Sequence, residues 1–189
     1  MSLHELTPEQ QEIRELARRF ADEKIAPRAA EWDRGHIFPR ELLAELGELG
    51  LMGLPIPEEY GGAGGDTVSY ALAVEELTRI DSSVAITVAA HTSLGTMPVF
   101  LFGDEEQKRR WLPDLASGKK LAAFGLTEPG AGSDAGNTRT TAELRDGSWI
   151  VNGSKMFITN AGTDITWGVT LTARTGDGEI SNIVVENGT

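Results

Sequence analysis

The apolar positions change period partway along the chain. Up to about residue 120 they recur at three- and four-residue spacing, and beyond it they fall into short blocks typical of strands. Ile13, Leu16, Ala17 and Phe20 make one helical stripe, with Glu12, Glu15, Arg18 and Arg19 on the wet face. Thr7-Pro8-Glu9-Gln10 supplies an N-cap, a first-turn proline and a capping-box glutamine, and Pro27 predicts the end of that helix or a kink in it. A second helix is expected over 39–49, with Leu42, Leu46 and Leu49 inward and Gly50 as its stop. A third, capped by Asp66 or Thr67, runs through Val68, Ala71, Leu72 and Ile80. The run 84–90 is too apolar for a surface helix and predicts one buried on most sides. Asp104-Glu105-Glu106-Gln107 opens a further capped helix whose buried face is Trp111, Leu112 and Leu115.

After residue 120 the pattern is that of strands. One is expected over 121–127. Asp146-Gly147 between 140–144 and 149–151 is a hairpin signal, because both turn positions need a left-handed backbone. Asn152-Gly153 predicts a second turn into a short strand, Met156-Phe157-Ile158-Thr159. Strands over 167–173 and 180–185 complete the set. Helices come first and strands second, without alternation. That order predicts an α+β chain: an all-α helical domain over 1–120, then the first part of an antiparallel β-barrel domain over 121–189.

Composition narrows the function. The 40% apolar content supports a packed core. A net charge of −12 disfavours nucleic acid as a partner, which would need clustered lysine and arginine, and disfavours a basic membrane-surface helix. Absence of cysteine removes disulfides, thiolate metal sites and cysteine nucleophiles. Met1 to Glu5 carry no basic region followed by an apolar run, and no apolar stretch approaches the roughly 18 residues of a membrane span. A cytoplasmic protein is the expectation.

Two glycine clusters invite a phosphate-binding reading. Gly61-Gly62-Ala63-Gly64-Gly65 has no Gly-Lys-Ser/Thr ending, and a flexible interhelix loop is the expectation. Gly130-Ala131-Gly132-Ser133-Asp134-Ala135-Gly136 follows a strand and approaches the dinucleotide fingerprint. The helix that should then receive a pyrophosphate is replaced by Asn137-Thr138-Arg139-Thr140-Thr141, which favours strand. Its glycines are better suited to letting backbone approach a ligand across strand ends. Glu128 precedes Pro129 in a turn, where a carboxylate orders backbone amides or faces solvent; a catalytic base would need a substrate proton within reach. The pairs Glu58-Glu59, Glu75-Glu76 and Glu105-Glu106 read as solvated faces and helix N-termini. His4, His36 and His91 lack metal-ligand spacing, and His91 reads as a satisfied core histidine.

Four segments in order carry a resemblance. They are Pro57-Glu58-Glu59-Tyr60-Gly61-Gly62, Phe102-Gly103-Asp104-Glu105-Glu106-Gln107-Lys108, Thr127-Glu128-Pro129-Gly130-Ala131-Gly132-Ser133-Asp134, and Asn152-Gly153-Ser154-Lys155-Met156-Phe157-Ile158-Thr159-Asn160. Together they resemble the acyl-CoA dehydrogenases, with Phe157 where that family more usually has tryptophan. The resemblance implies FAD as cofactor. It places Phe124, Leu126 and Thr127 along the isoalloxazine, Phe157, Ile158 and Thr159 on its other side, and Gly132 and Ser133 at the glycine turn, Ser133 also toward the acyl-CoA thioester. It implies removal of an α-proton and hydride transfer from the β-carbon to flavin N5, giving a trans-2-enoyl-CoA. Electrons then pass to an electron-transfer flavoprotein, and the intact enzyme is a homotetramer. The family's catalytic base and C-terminal helical domain match no residues here, so the chain is expected to be an inactive fragment whose open strand edges favour aggregation. A non-catalytic module of the same fold, or an acyl-CoA oxidase or flavin monooxygenase relative, would share these segments.

Overall fold

The computed structural model describes residues 5–189. Met1 to His4, four of the five residues read for a leader, therefore lie outside the described residues. The chain divides into two compact units, Met1–Lys120 and Leu121–Thr189.

The first unit is helical: α1 (Pro8–Phe20), α2 (Ala29–Gly35), α3 (Arg40–Glu48), α4 (Thr67–Thr78), α5 (Ser82–Ala89), α6 (Met97–Phe102) and α7 (Glu105–Ala116). The capping boxes at Thr7 and Asp104 both form; the Thr7 hydroxyl accepts from the Gln10 amide at 3.2 Å while the Gln10 side chain accepts from the Thr7 amide at 3.0 Å. α1 does not stop at Phe20 but widens into a π turn, Ala21–Ile25, which buries Ala21 and Ile25 before Pro27. Leu49, expected inward, is 41% exposed because α3 has already ended at Glu48. α2 carries no stripe long enough to read from sequence; its buried Trp32 anchors it.

α4 turns a different face inward from the one its apolar residues suggest. Val68 and Ala71 are exposed, whereas Ser69, Ala73, Glu76 and Leu77 are buried. Glu76 can be buried because it is fully paired: Arg18 donates to both its oxygens at 2.9 and 3.0 Å, and Arg79 approaches at 3.3 Å while also reaching Asp22 at 2.6 Å. Of the Glu75-Glu76 pair, then, only Glu75 faces solvent. The glycine cluster at 61–65 also departs from expectation. Its amides are taken up by local backbone, Ala63 donating to the Gly53 carbonyl at 3.1 Å, Gly64 to Ile56 at 2.9 Å and Gly65 to Leu54 at 2.7 Å. A side chain at residue 62 would put its Cβ 2.0 Å from the Ile56 carbonyl oxygen, so the turn is a close backbone approach rather than a loose loop.

α5 continues without interruption through a π segment (Ala90–Thr96) into α6, a run Ser82–Phe102 of 21 residues that is by length and composition apolar enough to cross a membrane. That corrects the expectation that no stretch approaches such a length. His91, Thr92 and Ser93 interrupt the apolar pattern in sequence but not the helix, because their polar atoms are satisfied within the fold. The Thr92 hydroxyl donates to the Met52 carbonyl at 3.1 Å, Ser93 to Ala89 at 2.6 Å, and Thr96 to the His91 carbonyl at 2.9 Å. These bonds and the burial of Val84, Ala85, Val88, His91 and Thr92 seat one side of it in this unit, while Ile86, Leu94, Leu101 and Phe102 remain exposed.

The second unit is a five-stranded sheet of β1 (Leu121–Gly125), β2 (Thr141–Arg145), β3 (Ser148–Asn152), β4 (Thr166–Gly176) and β5 (Glu179–Glu186). The β2–β3 and β4–β5 hairpins are antiparallel, and Asp146 and Gly147 take φ of 51° and 81° at the first turn, as its sequence requires. β1 joins β4 in parallel, so the sheet is mixed. It is not closed.

His91 is fully buried, with Nε2 3.0 Å from the Leu115 carbonyl oxygen. Burial brings its pKa down to about 4 from 6.5, only partly opposed by that carbonyl. The unfolded chain therefore binds this proton more readily, and stability that is complete above pH 6.5 falls as pH drops toward 4, by about 3 kcal/mol over the window. Thermal unfolding of His91→Gln should lose this slope between pH 6.5 and 4 relative to the parent; an unchanged slope would place the titration elsewhere.

Candidate functional site

β1 and β2 share one edge of β4. β1 pairs as far as Gly125 opposite Leu171, and β2 resumes with Thr141 opposite Arg174. Between them the chain leaves the edge as an excursion, 126–140, that contains the glycine-rich turn. The strand expected to reach Thr127 thus ends at Gly125.

The root of the excursion is fastened by buried charge. The side chains of Glu128 and Lys155 are each 4% exposed and lie 2.8 Å apart. Glu128 accepts from the Arg139 amide at 2.6 Å, the Thr140 amide at 3.0 Å and the Thr138 hydroxyl in a short bond. Burial alone would raise the carboxyl's pKa; donation from Lys155, Thr138, Thr140 and Arg139 outweighs it and holds the group well below the ordinary carboxylate range. A buried ionised carboxylate that accepts from four donors is a poor base, so Glu128 orders backbone amides, the reading its turn position favoured. Arg174 braces the far end of the excursion, donating through Nε to the Thr138 carbonyl at 2.7 Å and through its guanidinium to that of Gly136 at 3.2 Å.

The second segment, 155–160, is not a strand. It is held to the first by one backbone bond, the Met156 amide donating to the Thr127 carbonyl at 2.9 Å. Gly153 lies so close to Thr140 that a Cβ there would come within 2.2 Å of the threonine hydroxyl, and the chain passes on without the second turn expected at 152–153. Phe157 then takes a φ of 58° and Asn160 a φ of 70°, which no strand permits. Asn160 is buried and bonds the Ala122 carbonyl at 3.3 Å. Phe157, by contrast, is 84% exposed, an aromatic ring in a strained backbone with little packed against it.

The sequence-derived site residues therefore fall into two groups. Thr127 and the stretch Phe157, Ile158, Thr159 are brought together through Met156, with Leu126 39% exposed beside Thr127 and Ile158 and Thr159 half-buried. Phe124 is half-buried in β1, opposite Thr170 of β4. Gly132 and Ser133 lie exposed in the excursion, and a Cβ at Gly132 would meet nothing within 4 Å. Lys155 is the residue that sequence reasoning passed over, because nothing local signals that a lysine 27 positions from Glu128 pairs with it. Among the described residues, no group of three or more histidines or carboxylates is placed to hold a metal.

Leu126 and Phe157 are exposed apolar side chains on segments joined by the Met156–Thr127 bond, with threonines at 127 and 159, residue types that suit a flat, partly polar ring system such as an isoalloxazine. Comparison with known proteins points the same way. Family models match twice, for the acyl-CoA dehydrogenase N-terminal domain over residues 7–119 and for the acyl-CoA dehydrogenase middle domain over 123–189. An acyl-CoA dehydrogenase of Bacillus subtilis (strain 168) is 49% identical over 186 residues, 97% of this chain and 49% of that protein. The structure of butyryl-CoA dehydrogenase from Megasphaera elsdenii superposes with a TM-score of 0.91 at 44% identity, covering 98% of this chain and 50% of the other. An acyl-CoA dehydrogenase from Bacillus anthracis complexed with FAD superposes at 0.86 with 41% identity, covering 100% of this chain and 33% of the other. The chain thus spans half the length or less of these relatives.

Asparagine tolerates a left-handed backbone better than phenylalanine, and little burial would be lost at an 84% exposed ring. Phe157→Asn should therefore raise the stability of the β unit by about 1 kcal/mol in a denaturant titration. A destabilised variant would mean that the ring is packed, not strained.

Proposed function

The chain belongs to the acyl-CoA dehydrogenase family, and from that premise we propose that its β unit forms the flavin-facing wall of an FAD-dependent enzyme that desaturates acyl-CoA thioesters between Cα and Cβ. The observation that carries this reading is the juxtaposition of Thr127 with the 157–159 segment through the Met156 amide, beside an aromatic ring left exposed at a backbone cost. Strain without packing is retained where a ligand uses it.

Leu126, Phe157 and Ile158 present the apolar face, Phe124 supports it from β1, and the hydroxyls of Thr127 and Thr159 bond the ring's polar edge. Gly132 would let backbone approach the ligand, and the Ser133 hydroxyl would bond cofactor and thioester. When bound, FAD supplies the hydride acceptor at N5. The protein contributes position, water exclusion and electrostatics. Glu128 is not the base that takes the α-proton, since its carboxylate is buried and spent on four donors. No other residue of the site can take that role, so the chain by itself is expected to be inactive toward acyl-CoA. The product of the whole enzyme would be a trans-2-enoyl-CoA, with an electron-transfer flavoprotein as electron acceptor and a homotetramer as its assembly. The likeness to a butyryl-CoA dehydrogenase favours short acyl chains.

Titration of the chain with FAD, followed by flavin absorbance and fluorescence, tests the reading. Saturable binding with a perturbed visible spectrum is expected, and Phe157→Ala should weaken it about three- to tenfold, the value of one aromatic stacking contact. A parent chain that leaves the flavin spectrum unchanged at every FAD concentration would count against it.

A further inference from the structure

The Lys155 ammonium has three hydrogens and four oxygens within reach: Glu128 at 2.8 Å, the Thr138 and Thr172 hydroxyls at 2.9 Å each, and the Leu126 carbonyl at 3.1 Å. These come from the segment after β1, the segment before β2, and β4, while Lys155 itself follows β3. One atom therefore ties together every part of the chain that meets at the gap in the β4 edge. Thr138 links the same set from the other side, since its hydroxyl donates to Glu128 and accepts from Lys155.

The Leu126 carbonyl lies one residue past the last β1 pair, at Gly125, and Lys155 is the donor it finds. The path of the lysine stem is also specified. A Cβ at Gly125 would lie 3.3 Å from Lys155 Cγ, tighter than ordinary contact, so the glycine at the end of β1 leaves room for the stem to cross. A compact ammonium suits this convergence of oxygens, which the planar fork of an arginine would not.

We propose that Lys155 is a positioning residue for the segment 126–128: through its bond to the Leu126 carbonyl and its pairing with Glu128, it fixes the Thr127 backbone that receives Met156 and thereby sets Leu126 and Thr127 for the flavin. The geometric half stands on the contacts above, and the assignment to flavin rests on the proposed function. A buried ion pair that contributed stability alone would be replaceable by a neutral pair of similar volume at little cost. One that positions the segment would not be, because the Leu126 carbonyl would lose its donor.

The neutral double variant Glu128→Gln/Lys155→Met separates these possibilities, and avoids the unpaired buried charge that Lys155→Met alone would leave and that could prevent folding. Amide exchange by NMR reports on the Met156 amide, which bonds neither altered side chain, with the β4–β5 ladder as reference. The ladder should keep the parent's protection while Met156 exchanges roughly tenfold faster or more, and FAD affinity should fall by a similar factor. Parent-like protection at Met156 would overturn the positioning role, and so would a loosened Met156 with undiminished FAD affinity. Should the parent itself bind no FAD, the functional reading fails while the Met156 amide still decides whether Lys155 holds the segment.

Discussion

An ionised carboxylate buried in a protein must be surrounded by donors or it will not stay ionised. Around Glu128 that requirement organises the β unit. Its donors come from residues ten to twelve positions onward and from a lysine 27 positions away, so satisfying one side chain fixes where the chain leaves β1, how it re-enters at β2 and where the segment after β3 is laid. The glycine-rich turn is then free of that burden. Its tip can remain exposed because its root is held by Glu128 and Lys155 on one side and by Arg174 on the other.

The same physics runs through the helical unit with different residues. Glu76 is admitted to the interior by two arginines, and His91 by staying neutral beside a carbonyl. Hydroxyls that bond nearby carbonyls let one apolar helix pass through three polar positions without a break. In both units, buried polar groups decide the course of the backbone more than apolar stripes do. Acidification should act on both, since each of these groups has its folded-state pKa below its ordinary value and loses stability as pH falls.

Local signals were legible wherever the cause of the structure was local. The capping boxes at Thr7 and Asp104 and the Asp146-Gly147 turn followed directly from residue type and spacing. The glycine-rich turn and the 155–160 segment stood out in the sequence by residue type. Their conformation did not. The left-handed backbone at Phe157 and the parallel pairing of β1 with β4 arise from contacts between distant residues, which no periodicity records. The inward face of α4 was misplaced for the same reason: burial of Glu76 depends on Arg18, 58 positions earlier in sequence. Lys155 had no local signature at all. Its role is visible only when the four oxygens it meets are seen in one place.

The architecture of the β unit depends on Glu128 being held ionised by its donors at the root of the excursion. A carbon-13 titration of the Glu128 carboxyl in the folded chain reads this out. No protonation of this group is expected down through the ordinary glutamate range near 4.5, so that it stays ionised until the fold itself is lost. A titration midpoint at that ordinary value would contradict it, and with it the view that the buried pair fixes the excursion.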